Sequence, residues 1–188
     1  MPKFLLETLT IRQDRGIENA RNAALVVGAS LFVALCARVT VPLLPLTPVP
    51  LTMQNFGVLV VGLLLGSRRG FAALALYLIE GAAGLPVFNP VGAGGIAQLF
   101  GITGGFLLTY PFVAFSAGYI FERGRKSFVR ATVAGTIAEI LLFAGGLAWL
   151  YVLMHSFAAA YVFLPAEIMK IMLAAAIAVR WRGNAKAH

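Results

Sequence analysis

Charge is what this chain has least of. Its 188 residues hold 15 Lys and Arg and seven Asp and Glu, 12% charged against 60% hydrophobic, with a mean hydropathy of +0.89. Soluble domains carry about twice that share of charge, so the composition excludes an ordinary soluble protein and points to an integral membrane protein. Cysteine is nearly absent: Cys36 stands alone, which excludes an intramolecular disulfide and a cysteine-cluster metal site. The two histidines, His155 and His188, have no i, i+4 partner that would hold zinc, and no metal is expected. There is no G-x-x-x-x-G-K-[ST] run, so ATP hydrolysis by that device is excluded and no cofactor is expected. A partial G-x-G-x-x-A match at Gly92 to Ala97 lacks the βαβ surroundings a dinucleotide site needs.

What is present is a set of long uncharged intervals. No charge falls in 39–67, 81–121 or 140–166. A helix that crosses about 30 Å of hydrocarbon needs about 20 residues. The apolar runs predict six transmembrane helices near Asn22–Val41, Leu51–Ser67, Gly70–Gly84, Gly105–Phe121, Ala131–Met154 and Phe157–Val179. Residues 1–21 are mixed polar and charged, unlike the apolar core of a signal peptide, and read as a cytoplasmic segment and candidate interfacial helix. The membrane domain is expected over 22–180, with a basic cytoplasmic tail at 181–188.

The basic residues orient this layout. The amino-terminal segment holds Lys3, Arg12, Arg15 and Arg21; the second-to-third connection Arg68 and Arg69; the fourth-to-fifth Arg123, Arg125, Lys126 and Arg130; the end Arg180, Arg182 and Lys186. Every second connection is positive, which predicts both termini in the cytoplasm. Topology and a basic face toward anionic lipid account for the net charge of +8, so no nucleic-acid partner is implied.

Two features suggest a site. Glu167 and Lys170 lie three residues apart in the last apolar stretch, on one helical face, and each ionisable group at mid-membrane costs roughly 2.5 to 3.5 kcal/mol unless it is paired or serves a ligand. Arg38, Glu80 and Glu139 add to that load. The second feature is the stretch Gly81–Gly105, apolar but too rich in Gly and Pro for a simple spanning helix. Such backbone survives at membrane depth only when it is buried or lines a cavity, so it reads as an outer cap or re-entrant loop with a short helix near Ile96–Phe100. A closed network of internal salt bridges with no ligand would also account for the charges.

The runs Val49-Pro50-Leu51-Thr52-Met53-Gln54, Gly84-Leu85-Pro86-Val87-Phe88, Gly101-Ile102-Thr103-Gly104-Gly105-Phe106-Leu107 and Leu164-Pro165-Ala166-Glu167-Ile168-Met169-Lys170 resemble the BioY family, in matching order over about residues 30 to 178. That family is the biotin-binding S component of energy-coupling-factor (ECF) transporters. The resemblance implies a multi-pass protein of a prokaryotic cytoplasmic membrane that captures biotin from outside. It implies as partners a membrane-embedded coupling (T) subunit and two ABC-type ATPases.

The resemblance also implies site residues. Glu167, where family members commonly have aspartate, would accept the two ureido N–H groups of biotin, and Lys170 would serve its carbonyl. Asn89 falls where the family has a loop asparagine, and Glu139 where an amide is common. For the biotin carboxylate the candidates are Arg38, Gln54 and the backbone around Thr103 and Gly104. Phe88, Tyr110, Trp149 and Tyr161 are candidates to flank the bicyclic ring. Small residues form ridges on the first span, Ala20, Ala24 and Gly28 on one and Ser30 and Ala34 on another; in the family such a ridge docks the coupling subunit, and Ser30 and Ala34 fit that pattern best. Two other readings stand beside this one: a proton-coupled carrier of a small carboxylated solute in which Glu167 titrates, and an intramembrane enzyme using Glu139 or Glu167. The enzyme has no nucleophile or activating base in the sequence to support it.

Overall fold

Where no water reaches, backbone N–H and C=O groups must bond within their own segment, and long apolar runs therefore become helices. The computed structural model describes residues 3–43, 46, 49–155 and 159–184. Seven helices and one short ribbon follow in chain order: α1 (Lys3–Arg38), β1 (Thr40–Val41), β2 (Leu51–Thr52), α2 (Gln54–Leu65), α3 (Ser67–Ala82), α4 (Gly95–Phe100), α5 (Gly104–Glu122), α6 (Phe128–Met154) and α7 (Ala159–Asn184).

Three boundaries differ from the sequence expectation. Residues 3–21 are the first half of α1 and not a separate interfacial helix, because nothing between Lys3 and Arg38 breaks the ladder: there is no proline, and Gly16 is tolerated. The expected first and second spans are each trimmed where they meet. Prolines at 42, 45, 48 and 50 bar a helix, and the flanking residues pair instead as an antiparallel ribbon, Thr40 opposite Thr52 and Val41 opposite Leu51. At the other end α7 runs through Asn184, so the expected tail starts inside a helix. Arg182 donates to the Leu64 carbonyl at 2.8 Å and lies over the Phe121 ring; residues 185–188 lie outside the described residues.

Helix α2 is the centre of the bundle. Its residues Gln54–Leu63 are buried, and it packs against α1, α3, α5 and α7. The approach to α5 is close enough that a Cβ on Gly62 would stand 2.5 Å from the Ala114 carbonyl oxygen. One residue, Gly66, joins α2 to α3 at φ +86°, a left-handed conformation that favours glycine. Across from it the Glu122 carboxylate accepts the Ser67 backbone N–H at 3.2 Å and the Ser67 hydroxyl at 2.8 Å, completing the bare amino end of α3.

The outer surface is apolar, with Leu31, Leu35, Phe112, Ile140, Met169 and Leu173 all exposed. Among the described residues three helices, Arg15–Arg38, Gly104–Glu122 and Phe128–Met154, are long and apolar enough to cross a membrane by length and composition, and Gln54–Leu65 is a shorter apolar helix. Helix α3 has 16 residues and bears Arg68, Arg69 and Glu80.

Candidate functional site

The expensive pair on α7 is paired and buried. Glu167 and Lys170 are 5% and 6% exposed, and Nζ of Lys170 stands 2.9 Å from Oε1 of Glu167. The ammonium also donates to the Thr52 carbonyl at 2.7 Å and to Oδ1 of Asn55 at 2.9 Å. Three donors meet three acceptors, which is the full capacity of a charged lysine. The β-ribbon makes this possible, since it turns the chain so that the Thr52 carbonyl and the first residues of α2 face α7.

Asn55 is the hub of the cluster. Its Nδ2 donates to Oε2 of Glu167 and lies 3.5 Å from Oε1 of Glu139, while its Oδ1 holds Lys170. Each Glu167 oxygen thus has one donor and keeps a further lone pair for a ligand. Gln54, next in the chain, reaches the other way. Its Nε2 donates to the Tyr77 hydroxyl at 2.5 Å, and Tyr77 donates to the Val87 carbonyl at 2.9 Å. That relay ties α2 through α3 to the Gly-rich segment.

Between these elements lies an inner cavity of about 50 Å³, lined among others by Gln54, Asn55, Asn89, Thr103, Tyr110, Glu167 and Lys170, with Phe106, Leu107, Leu142 and Phe143 as apolar walls. A larger chamber of about 250 Å³ adjoins it under the Gly-rich segment, sharing Pro50, Asn89 and Thr103. Taken together the two approach the lower end of small-molecule sites, about 300 Å³. Asn89 stands at their junction, 5% exposed, and its Oδ1 has no hydrogen-bond partner. In the outer chamber Gln98 accepts the Gly94 N–H through Oε1, and its Nε2 is likewise unpartnered.

Six of the residues expected from sequence, Glu167, Lys170, Asn89, Gln54, Thr103 and Tyr110, therefore line one cavity. Others do not. Arg38 ends α1, is exposed and does not line the cavity, as expected of a long charged side chain at a helix end. Phe88 is buried edge-on against Tyr77, with ring centroids 5.4 Å apart, over Gly81, where a Cβ would overlap its ring. Gly104 abuts the Leu99 carbonyl and Trp149, and Trp149 donates to the Gly101 carbonyl at 3.0 Å instead of facing the cavity. The Tyr161 side chain lies outside the described residues. Ser30 is buried and donates to the Glu80 carboxylate, and Ala34 packs against the core, so this ridge faces inward rather than offering a docking surface. The ridge that α1 leaves open is Ala20, Ala24 and Gly28, and a Cβ on Gly28 would meet nothing within 4 Å.

Sequence reading missed Asn55. Its signal was present: two adjacent amides, Gln54 and Asn55, open a helix that is otherwise apolar, and buried amides in a membrane bundle need partners. Chemically, the cavity offers a carboxylate and an unpartnered amide oxygen above apolar walls. It suits a neutral ligand head with neighbouring N–H donors on an apolar body.

The BioY family model matches residues 8–187. The probable biotin transporter BioY of Pyrococcus horikoshii is 36% identical over 160 residues, which cover 82% of this chain and 94% of the relative. The biotin transporter BioY of Thermotoga maritima is 34% identical over the same coverage, and that of Rhizobium etli 36% over 68% of this chain and 75% of the relative. The crystal structure of the S-component for biotin from an ECF-type ABC transporter has the same fold, with a TM-score of 0.80 at 23% identity over 88% of this chain and 93% of that one.

Proposed function

The chain belongs to the BioY family, and from that premise we propose that it captures biotin at the outer face of a cytoplasmic membrane, as the substrate-binding S component of an ECF transporter. It is a membrane protein and a binding subunit, not an enzyme, and the proton-coupled carrier is not favoured. One observation carries the assignment of the site: a Glu167 carboxylate fixed by Lys170 and Asn55, with lone pairs to spare, faces the same cavity as the unpartnered Oδ1 of Asn89.

The ureido ring of biotin carries two N–H donors and one carbonyl. Glu167 and Asn89 accept the two donors, each a hydrogen bond to a buried acceptor of the kind that is worth most when one partner is charged. Lys170 spends its three donors on Thr52, Asn55 and Glu167 before any ligand arrives. Its first role is therefore to hold and orient the Glu167 side chain, and it serves the ureido carbonyl only by giving up one of these bonds. The apolar walls take the bicyclic ring, and the acid tail extends into the outer chamber past Thr103. Arg38 is exposed at the end of α1 and does not line this cavity.

The same reading extends to the whole chain. Six spans place both termini in the cytoplasm, the Gly-rich segment caps the site from outside, and residues 22–180 form the membrane domain with 1–21 and 181–188 at its cytoplasmic face. A coupling subunit with two ATPases supplies the energy, docking on the open ridge Ala20, Ala24 and Gly28 of α1, since Ser30 and Ala34 are turned inward. The experiment that tests the site is biotin binding by Glu167→Gln. A loss of affinity with an intact fold supports the assignment, and unchanged affinity removes it.

A further inference from the structure

Two carboxylates and one ammonium share the buried centre of this bundle, so the cluster carries one negative charge too many if all three are ionised. The hydrogen bonds say which group is the odd one. Lys170 spends all three of its donors. Glu167 has a donor on each oxygen, one of them from the ammonium. Glu139, on α6, is 4% exposed; its Oε1 has only the 3.5 Å approach of Asn55 Nδ2, and its Oε2 has no partner. The titratable and charged groups that act on it are Glu167 and Lys170 from α7 and Tyr110 from α5, while α2 presents only the uncharged Asn55. No cation beyond Lys170 is among them, and Lys170 is committed to Glu167.

We propose that Glu139 is the proton-bearing member of this cluster, a neutral carboxyl that acts through Asn55 as a positioning residue for Glu167. An unpartnered oxygen on a neutral carboxyl costs far less in a buried site than one on an anion. The proton also decides where Asn55 points. Asn55 Nδ2 carries two N–H donors, and with Glu139 neutral the group sits close on the charged Glu167 and 3.5 Å from Glu139, as observed. Ionised, Glu139 draws the Asn55 amide and Lys170 toward itself and away from Glu167, and sets a second anion behind the pocket. Glu139 does not line the cavity, so its influence reaches a ligand only through Asn55 and Glu167. High pH should therefore loosen the acceptor that meets the ligand, and the sign is definite: affinity falls as pH rises.

Two measurements test this, and the second rests on the biotin reading while the first does not. Infrared spectroscopy of the purified protein at neutral pH should show the C=O stretch of a buried protonated carboxyl that is lost in Glu139→Gln and lost from the wild type as pH is raised. Absence of the band from the wild type, or its persistence in Glu139→Gln, overturns the proposal; if that variant fails to fold, Glu139→Asp, which keeps the carboxyl and should shift the band, decides, and an unshifted band overturns it. In the second, biotin affinity of the wild type should weaken severalfold as pH is raised above neutral, a range in which free carboxylates do not titrate. Glu139→Gln, which cannot ionise, should lose that dependence. Identical pH profiles overturn the proposal. A wild type that shows the band but binds no biotin supports the proton assignment and overturns the biotin reading, so the two failures are distinct.

Discussion

Asn55 shows how much one buried amide can organise. It donates to one carboxylate, approaches another and accepts from the ammonium, joining α2, α6 and α7 without adding charge. Replacing it with Ala strips one hydrogen bond from Glu167 and one from Lys170 while leaving both buried. Hydrogen bonds to charged groups contribute about 1.5 to 3 kcal/mol each. Asn55→Ala should therefore both weaken biotin binding and lower the unfolding temperature in detergent, whereas Glu167→Gln, which keeps the shape and one acceptor oxygen for Lys170, should act mainly on binding. A thermal-shift series with and without biotin separates the two. Residue chemistry was partly legible in sequence. Glu167 and Lys170 announced themselves by cost, because charge at membrane depth needs a reason, while Asn55 is uncharged and its importance comes from three partners on two other helices.

At the scale of elements, the joint between α2 and α3 is the most constrained point in the chain. Gly66 holds φ +86°, and a side chain there would run into the Glu122 carboxylate that completes the start of α3. Placing a residue with a Cβ at that φ, with ψ 178°, costs on the order of 1 to 3 kcal/mol, before the loss of the Ser67 bonds is counted. Gly66→Ala should lower thermal stability by at least that much, and biotin binding should stay intact at temperatures where the variant is folded. Element existence was legible from the apolar runs and even the six-residue α4 was anticipated within one residue. The ends were not. Prolines between Val41 and Leu51 mark a break, but the pairing of Thr40 with Thr52 is a tertiary fact that local pattern does not carry. The orientation of α1 is another: small residues four apart occur on both sides of it, and only packing against α3 turns Ser30 inward to Glu80 and leaves Gly28 open.

Across the whole molecule, the pocket and the open ridge of α1 fall on different elements. The pocket is built from α2, α5, α6, α7 and the Gly-rich segment, while the open ridge lies on α1. Large side chains on that ridge, as in Ala24→Leu with Gly28→Leu, should impair co-purification with the coupling subunit and uptake in cells, and leave biotin binding by the isolated protein unchanged. Equal uptake by this variant and wild type would remove the docking assignment without touching the pocket. Whether the Glu167 cavity binds biotin is decided by equilibrium titration of the purified protein with biotin. Loss of a charged acceptor is worth about 1.5 to 3 kcal/mol, and each 1.4 kcal/mol is tenfold in Kd. The prediction is one-site saturable binding by the wild type and binding at least roughly tenfold weaker by a folded Glu167→Gln; no saturable binding by the wild type, or equal affinity in the variant, would contradict it.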